Sequence, residues 1–277
     1  MRRGSLLHTL QRIRRKLLNF VEFRHHGRVR FLRDRYQQLM LDCLTGSIYQ
    51  DPPIKVLGNE DFDLKLREHG WDWPSVAHSM IGRRRMVNLR YLAETVLFHR
   101  IPGDFIETGV WRGGACIYMR AILEAYGVRN RRVWAADSFA GLPPPDEATY
   151  PADAGDKFHT YEELAVPLDQ VKRNFERYGL LDEQVVFLKG WFKDTLPGAP
   201  TGPLAILRMD GDMYESTMDA LTSLYDRVSF GGYVIVDDYR VVVGCQKAVD
   251  DFRARRRIND MIVEIDGVGV YWQKTHR

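Results

Sequence analysis

Residues 104–115 read Asp-Phe-Ile-Glu-Thr-Gly-Val-Trp-Arg-Gly-Gly-Ala. Four residues of strand character run into a glycine-bearing turn, and an apolar helical stretch follows over 115–126. Glycines at such a junction let backbone approach a ligand and let the next helix pack closely. The same rhythm recurs downstream. Residues 133–136, 185–188, 205–209, 233–237 and 268–272 read as short apolar strands, with helices over 168–178, 214–225 and 245–256. Short apolar strands alternating with helices predict an α/β fold: a doubly wound, mostly parallel sheet covered on both faces. Ligands in such sheets bind beyond the carboxyl ends of the strands.

Upstream the pattern is helical. Leu6, Leu10, Ile13, Leu17 and Val21 recur at three- and four-residue spacing, opposite a face of arginines. Further helices are expected over 31–43 and 84–98, with a break at Pro52-Pro53. The expected division is a helical extension and cap over 1–100 and a ligand-binding domain over 101–277. One connection is long. Between Ala136 and Leu168 lie Pro143-Pro144-Pro145, Asp146, Glu147 and Gly155, and loops of that length usually cover a site. A lid is expected at about 140–167.

The chain has 277 residues and a formal charge of +3. That charge is uneven: residues 1–35 carry eleven Lys/Arg against Glu22 and Asp34, a net +9, on a body of −6. With only Phe20, Phe23 and Phe31 interleaved, this head does not read as a nucleic-acid face. No eighteen-residue apolar run exists, so no membrane span is expected. Arg12, Arg14, Arg15 and Lys16 interrupt any secretory core. Cys43, Cys116 and Cys245 lack zinc or disulfide spacing, which points to the cytoplasm. The Leu6–Val21 stripe needs an apolar partner, so a homo-oligomer (dimer or higher) is expected.

The strand ends carry the chemistry. Glu107, Thr108 and Gly109 close the first strand as expected cofactor contacts, though their spacing matches neither the dinucleotide fingerprint nor a phosphate-cradling loop. Asp137 closes the second, where an acid can accept both hydroxyls of an adenosine ribose. Gly190-Trp191 follows the third, with the indole free to stack on a purine or to pack in the core. Asp210-Gly211-Asp212 closes the fourth strand and Asp237-Asp238 the fifth. Four carboxylates in one crevice would repel one another, so something positive should sit among them. Hard oxygen donors without thiolates favour Mg²⁺. Helix capping accounts for one of the four but hardly for all.

Taken in series, ETGVWRGG (107–114), DSFAGLP (137–143), GWFKDTLP (190–197), RMDGDMYEST (208–217) and VDDY (236–239) resemble the macrocin O-methyltransferase family. IYQDPP (48–53) and WPSVAHSMIGRRRM (73–86) fit as well, so the resemblance spans residues 36–272. It implies a Rossmann-like class I methyltransferase that uses S-adenosylmethionine and Mg²⁺ on a sugar hydroxyl of a glycosylated natural product in antibiotic biosynthesis. It implies cofactor contacts at Val110, Trp111, Arg112, Gly113, Gly114, Asp137, Ser138, Phe139, Ala140, Gly141, Gly190 and Trp191, with Ser79 and Met80 closing over them. Asp210, Asp237 and Asp238 would be the metal ligands and Asp212 the catalytic base. The basic segment before residue 36 stands outside the resemblance. The competing reading is a metal-dependent glycosyltransferase binding a nucleotide-sugar through Asp210-x-Asp212, which leaves ETGVWRGG unexplained. Tyr49 and His159 are further substrate candidates. The run Arg83-Arg84-Arg85 reads as a solvated helix start.

Overall fold

A computed structural model describes residues 27–55 and 61–276. The Leu6–Val21 stripe and its expected partner lie outside the described residues. By packing the chain divides into two units, Met1–Leu39 and Met40–Arg277. Residues 27–44 form helix α1, followed by α2 (Leu64–His69) and α3 (Gly82–Phe98). The expected boundary near residue 100 is therefore not where packing divides the chain. Residues 40–100 belong with the sheet because α3 buries Met86, Leu89, Leu92, Ala93 and Val96 against its neighbours.

The sheet comprises β1 (Asp104–Thr108), β2 (Val133–Asp137), β3 (Val185–Lys189), β4 (Leu204–Met209), β5 (Val228–Val236), β6 (Val263–Glu264) and β7 (Val270–Gln273). Their order is β3-β2-β1-β4-β5-β7-β6. The first five pair in parallel, and β7 runs antiparallel to both β5 and β6. The interleaved helices are α4 (Gly114–Ala125), α5 (Leu168–Arg177), α6 (Phe192–Thr195), α7 (Tyr214–Leu224) and α8 (Val243–Arg256). Every residue from Gly114 to Leu123 is buried, which makes α4 the central helix. Helix α5 shows only Val171, Asn174 and Phe175 to the core, the spacing of a surface helix. Strand β5 starts five residues ahead of its expected start at Tyr233, because Gly231-Gly232 hides the strand signal. Helices α2 and α6 and strand β6 are too short to show a period.

The long connection contains three short 3₁₀ turns, Pro151–Asp153, Phe158–Thr160 and Glu162–Leu164. It is tied down twice. The Asp153 carboxylate accepts from Tyr214 N (2.6 Å) and Glu215 N (3.0 Å), capping α7. The Glu163 carbonyl accepts from Trp111 Nε1 at 2.8 Å. Among the described residues, no helix is long and apolar enough to cross a membrane.

The segment before α3 is organised by one buried cation. Arg67 is fully buried; it donates from Nε and Nη2 to Asp72, from Nη1 to Thr45 O (2.5 Å) and from Nη2 to Asp51 O (2.7 Å). Asp51 in turn caps the 75–77 backbone, accepting from Val76 N and Ala77 N. Replacing Arg67 by Met strands the Asp72 charge, a loss of about 3–5 kcal/mol. Urea unfolding should show that loss, and adding Asp72→Asn should restore part of it.

Candidate active site

Strands β2 and β4 flank β1, and the chain leaves them in opposite directions, opening a crevice at the carboxyl ends. Here backbone from two strands nearly touches. Gly109 has φ 89°, and a Cβ there would collide with the Asp210 carbonyl. Likewise a Cβ on Gly114 would strike His78 O, so the 78–80 segment lies directly on the start of α4. A cavity of about 330 Å³ fills this crevice. The covering loop supplies Leu142, Pro143, Phe158 and Leu164 to its wall.

One end of the cavity is built from β1 and β2. Ser79, Met80, Glu107, Gly109, Val110, Trp111, Gly114, Asp137, Ser138, Gly141 and Trp191 line it. Thr108, Arg112, Gly113, Phe139, Ala140 and Gly190 do not line it. Two of them hold the turns in place. Arg112 donates to Pro74 O (3.0 Å) and Ala77 O (2.9 Å), tying the glycine turn to the segment that covers it. Phe139 N and Val110 N both donate to the Asp137 carboxylate at 2.6 Å. Burial pushes the Asp137 carboxyl up and those N–H groups draw it back. Burial likewise raises Glu107 to about 7, against the pull of Arg208. The Ser79 hydroxyl is buried and without a hydrogen-bond partner, a polar atom that awaits a ligand.

The other end is acidic. Carboxylate oxygens of Asp210, Asp237 and Asp238 lie within 4.8 Å of one another. Two arginines meet them. Arg208 donates to Glu107 Oε1 (2.5 Å), Asp210 Oδ2 (2.9 Å) and Asp237 Oδ1, and Arg85 to Asp237 Oδ2 and Asp266 Oδ2. Arg85 thus departs from the solvated helix start expected for its run: it is buried, and Arg83 pairs with Asp42 and Glu68, leaving Arg84 exposed. The ion pairs cross long stretches of chain, which no local pattern reveals. Burial, then neighbouring carboxylates, push Asp212 and Asp238 well above the usual carboxylate range. Asp238 Oδ2 has no hydrogen-bond partner. Six acids, Glu107, Asp210, Asp212, Asp237, Asp238 and Asp266, share two guanidinium groups, so the acids outnumber the cations. An unpartnered oxygen and an all-carboxylate donor set suit a hard divalent cation.

Asp212 has φ 55° and lines the cavity beside this cluster. Tyr49 and His159 do not line it: the Tyr49 hydroxyl donates to Cys43 O at 3.3 Å on the surface, and from the turn Phe158–Thr160 only Phe158 reaches the wall. Sequence reasoning missed Arg208, Asp153, His78 and Trp71. The arginine within the strand motif was the one available signal, since a charge inside a buried strand needs partners.

This sheet order, with its antiparallel β7 and its crevice at the β1/β4 switch point, defines a Rossmann-like class I methyltransferase. The chain belongs to the macrocin O-methyltransferase (TylF) family, whose model matches residues 9–274. That match takes in most of the basic head, which the motifs alone had left outside. The chain is 56% identical to the 8-demethyl-8-(2,3-dimethoxy-α-L-rhamnosyl)-tetracenomycin-C 4′-O-methyltransferase of Streptomyces olivaceus, over 88% of this chain and 94% of that one. It is 52% identical to the demethyldecarbamoylnovobiocin O-methyltransferase of Streptomyces niveus, over 87% and 93%. The solved structure of the O-methyltransferase NovP superposes with a TM-score of 0.85 at 52% identity, covering 88% of this chain and all of NovP. Membership in an O-methyltransferase family sets aside the glycosyltransferase reading.

His78 offers a pH test of the segment that covers the cavity. Its Nδ1 lies 2.8 Å from the Tyr178 hydroxyl, and burial, with Arg177 and Arg112 nearby, lowers its pKa to about 4. The unfolded chain takes up that proton near 6.5, so the contribution is complete above 6.5 and is lost as pH falls towards 4. The loss amounts to about 3 kcal/mol at most. Urea unfolding between pH 7 and 4 should fall less steeply for His78→Gln than for the parent; parallel curves would refute this.

Proposed function

We propose that this protein transfers the methyl group of S-adenosylmethionine to a sugar hydroxyl of a glycosylated natural product in antibiotic biosynthesis, with Mg²⁺ bound at the acidic end. The observation that carries the reading is the shared cavity. A cofactor cradle on β1 and β2 opens directly onto four carboxylates after β4 and β5. The tetracenomycin relative, whose name places its methyl group on a rhamnosyl oxygen, supports the choice of a sugar hydroxyl.

Glu107, the 109–114 turn, Ser79 and Met80 would hold the amino acid end of the cofactor, and Asp137 its ribose. Trp191 stands where an adenine could stack. Asp210, Asp237 and Asp238 would hold the metal. When bound, the two groups supply an electrophilic methyl carbon and a charge that favours the ionised hydroxyl. The chain's own part is alignment and proton transfer. Asp212 lies next to the metal carboxylates and would accept the proton that the acceptor hydroxyl gives up. Holding both substrates in line contributes up to about 7–11 kcal/mol to the rate. The turn at Asp210–Met213 runs straight into α7, whose first N–H groups donate to Asp153 of the covering loop.

Two experiments test this. EDTA should abolish methyl transfer and Mg²⁺ restore it, while calorimetry still detects S-adenosylhomocysteine binding; full turnover without metal would defeat the metal assignment. Asp212→Asn should lower kcat by roughly 10²–10⁴-fold, the range for loss of a general base. Cofactor and Mg²⁺ affinities should hardly change. Rescue of the variant by excess Mg²⁺ would make Asp212 a metal ligand instead.

A further inference from the structure

The acidic end of the cavity has an apolar rim. Trp71, just beyond α2, lines the cavity yet is 57% exposed, and Val241, from the turn after β5, is 59% exposed. Both stand beside the carboxylates. Val241 N and Val242 N donate to Asp238 O at 3.1 and 2.9 Å, so that turn starts from the acid itself. Trp71 follows Gly70, which packs on the Arg85 guanidinium that pairs with Asp237.

Trp71 is held in position rather than loose. Its ring stacks on His69, with centroids 4.6 Å apart and planes at 23°, and its backbone N–H donates to Leu66 O at 3.0 Å, fixing the chain from which the ring projects. An oriented indole left in water at the mouth of a reaction site marks a contact surface. The charge pattern narrows the ligand. Among the described residues, the lysine and arginine that line the cavity are Arg85, committed to Asp237 and Asp266, and Lys193, 3.6 Å from Glu215. Everything else charged there is acidic, apart from a histidine held neutral. An anionic group on the acceptor would be repelled, whereas a neutral ring system would cover the apolar rim.

We infer that Trp71 and Val241, both on the rim of the cavity, form the aglycone subsite: a flat, uncharged hydrophobic ring of the acceptor stacks on the indole while its sugar reaches the carboxylates. This rests on the sugar-methylation reading above. The test uses protein loaded with S-adenosylhomocysteine and Mg²⁺, and two probes, methyl and 2-naphthyl α-L-rhamnopyranoside, titrated by calorimetry. The naphthyl glycoside should bind about tenfold more tightly than the methyl glycoside, the scale of one aromatic stacking contact. Trp71→Ala should erase that preference and leave S-adenosylhomocysteine and methyl glycoside affinities unchanged; Trp71→Phe should retain most of it. Equal affinity for the two probes, no binding of the naphthyl glycoside, or a preference that survives Trp71→Ala combined with Val241→Ser would overturn the inference. So would a change of oligomeric state in Trp71→Ala with glycoside affinity intact, which would assign the indole to a subunit interface. Failure of S-adenosylhomocysteine to bind would instead overturn the methyltransferase reading of the site.

Discussion

The Asp237 carboxylate is clamped between Arg208 and Arg85, one guanidinium on each oxygen. Buried charges are tolerated only when their partners stay in place, and removing one partner leaves the other uncompensated. This pairing joins three parts of the molecule. Arg85 comes from α3, Arg208 from β4 and Asp237 from the end of β5, and Arg208 continues to Glu107 on β1. The cradle expected for the cofactor and the acidic cluster are therefore held by one ionic network. A shift of α3 would be felt at both ends of the cavity.

The second constraint is steric. At the switch point Gly109 passes so close to Asp210 that no side chain fits, which brings the ends of β1 and β4 into one wall. The loop over 140–167 then fastens both sides of that wall, gripping Trp111 through the Glu163 carbonyl and the start of α7 through Asp153. It acts as a strap between the glycine turn and the turn that carries Asp212. Three non-glycine residues with positive φ, Trp111, Phe139 and Asp212, follow β1, β2 and β4. Left-handed backbone costs a non-glycine residue stability and persists only where surrounding contacts enforce it. At Trp111 and Phe139 those contacts are visible: the hydrogen bond to the Glu163 carbonyl and the Asp137 carboxylate on Phe139 N.

The alternation of strands and helices, the glycine turn, Asp137 and the four aspartates at the ends of β4 and β5 were all legible from the chain alone. Each is a local pattern: apolar runs of strand length, glycine where backbone must approach a ligand, acids just past a strand end. Arg85 and Arg208 were not legible in this way. Read locally, Arg85 belongs to a basic run at a helix start, and only its pairing with a residue 152 positions away reveals a buried role. Asp153 looks like one more polar residue of a long loop until α7 is seen to begin against it.

The linear chain thus determined which strands form, where the turns fall and which acids stand at the strand ends, because periodicity and backbone preference act over a few residues. Tertiary structure alone decided which charges neutralise one another, which side chains face the cavity and which apolar groups remain in water at its mouth. Those depend on through-space distance and desolvation, and residues that meet across the crevice are far apart in sequence.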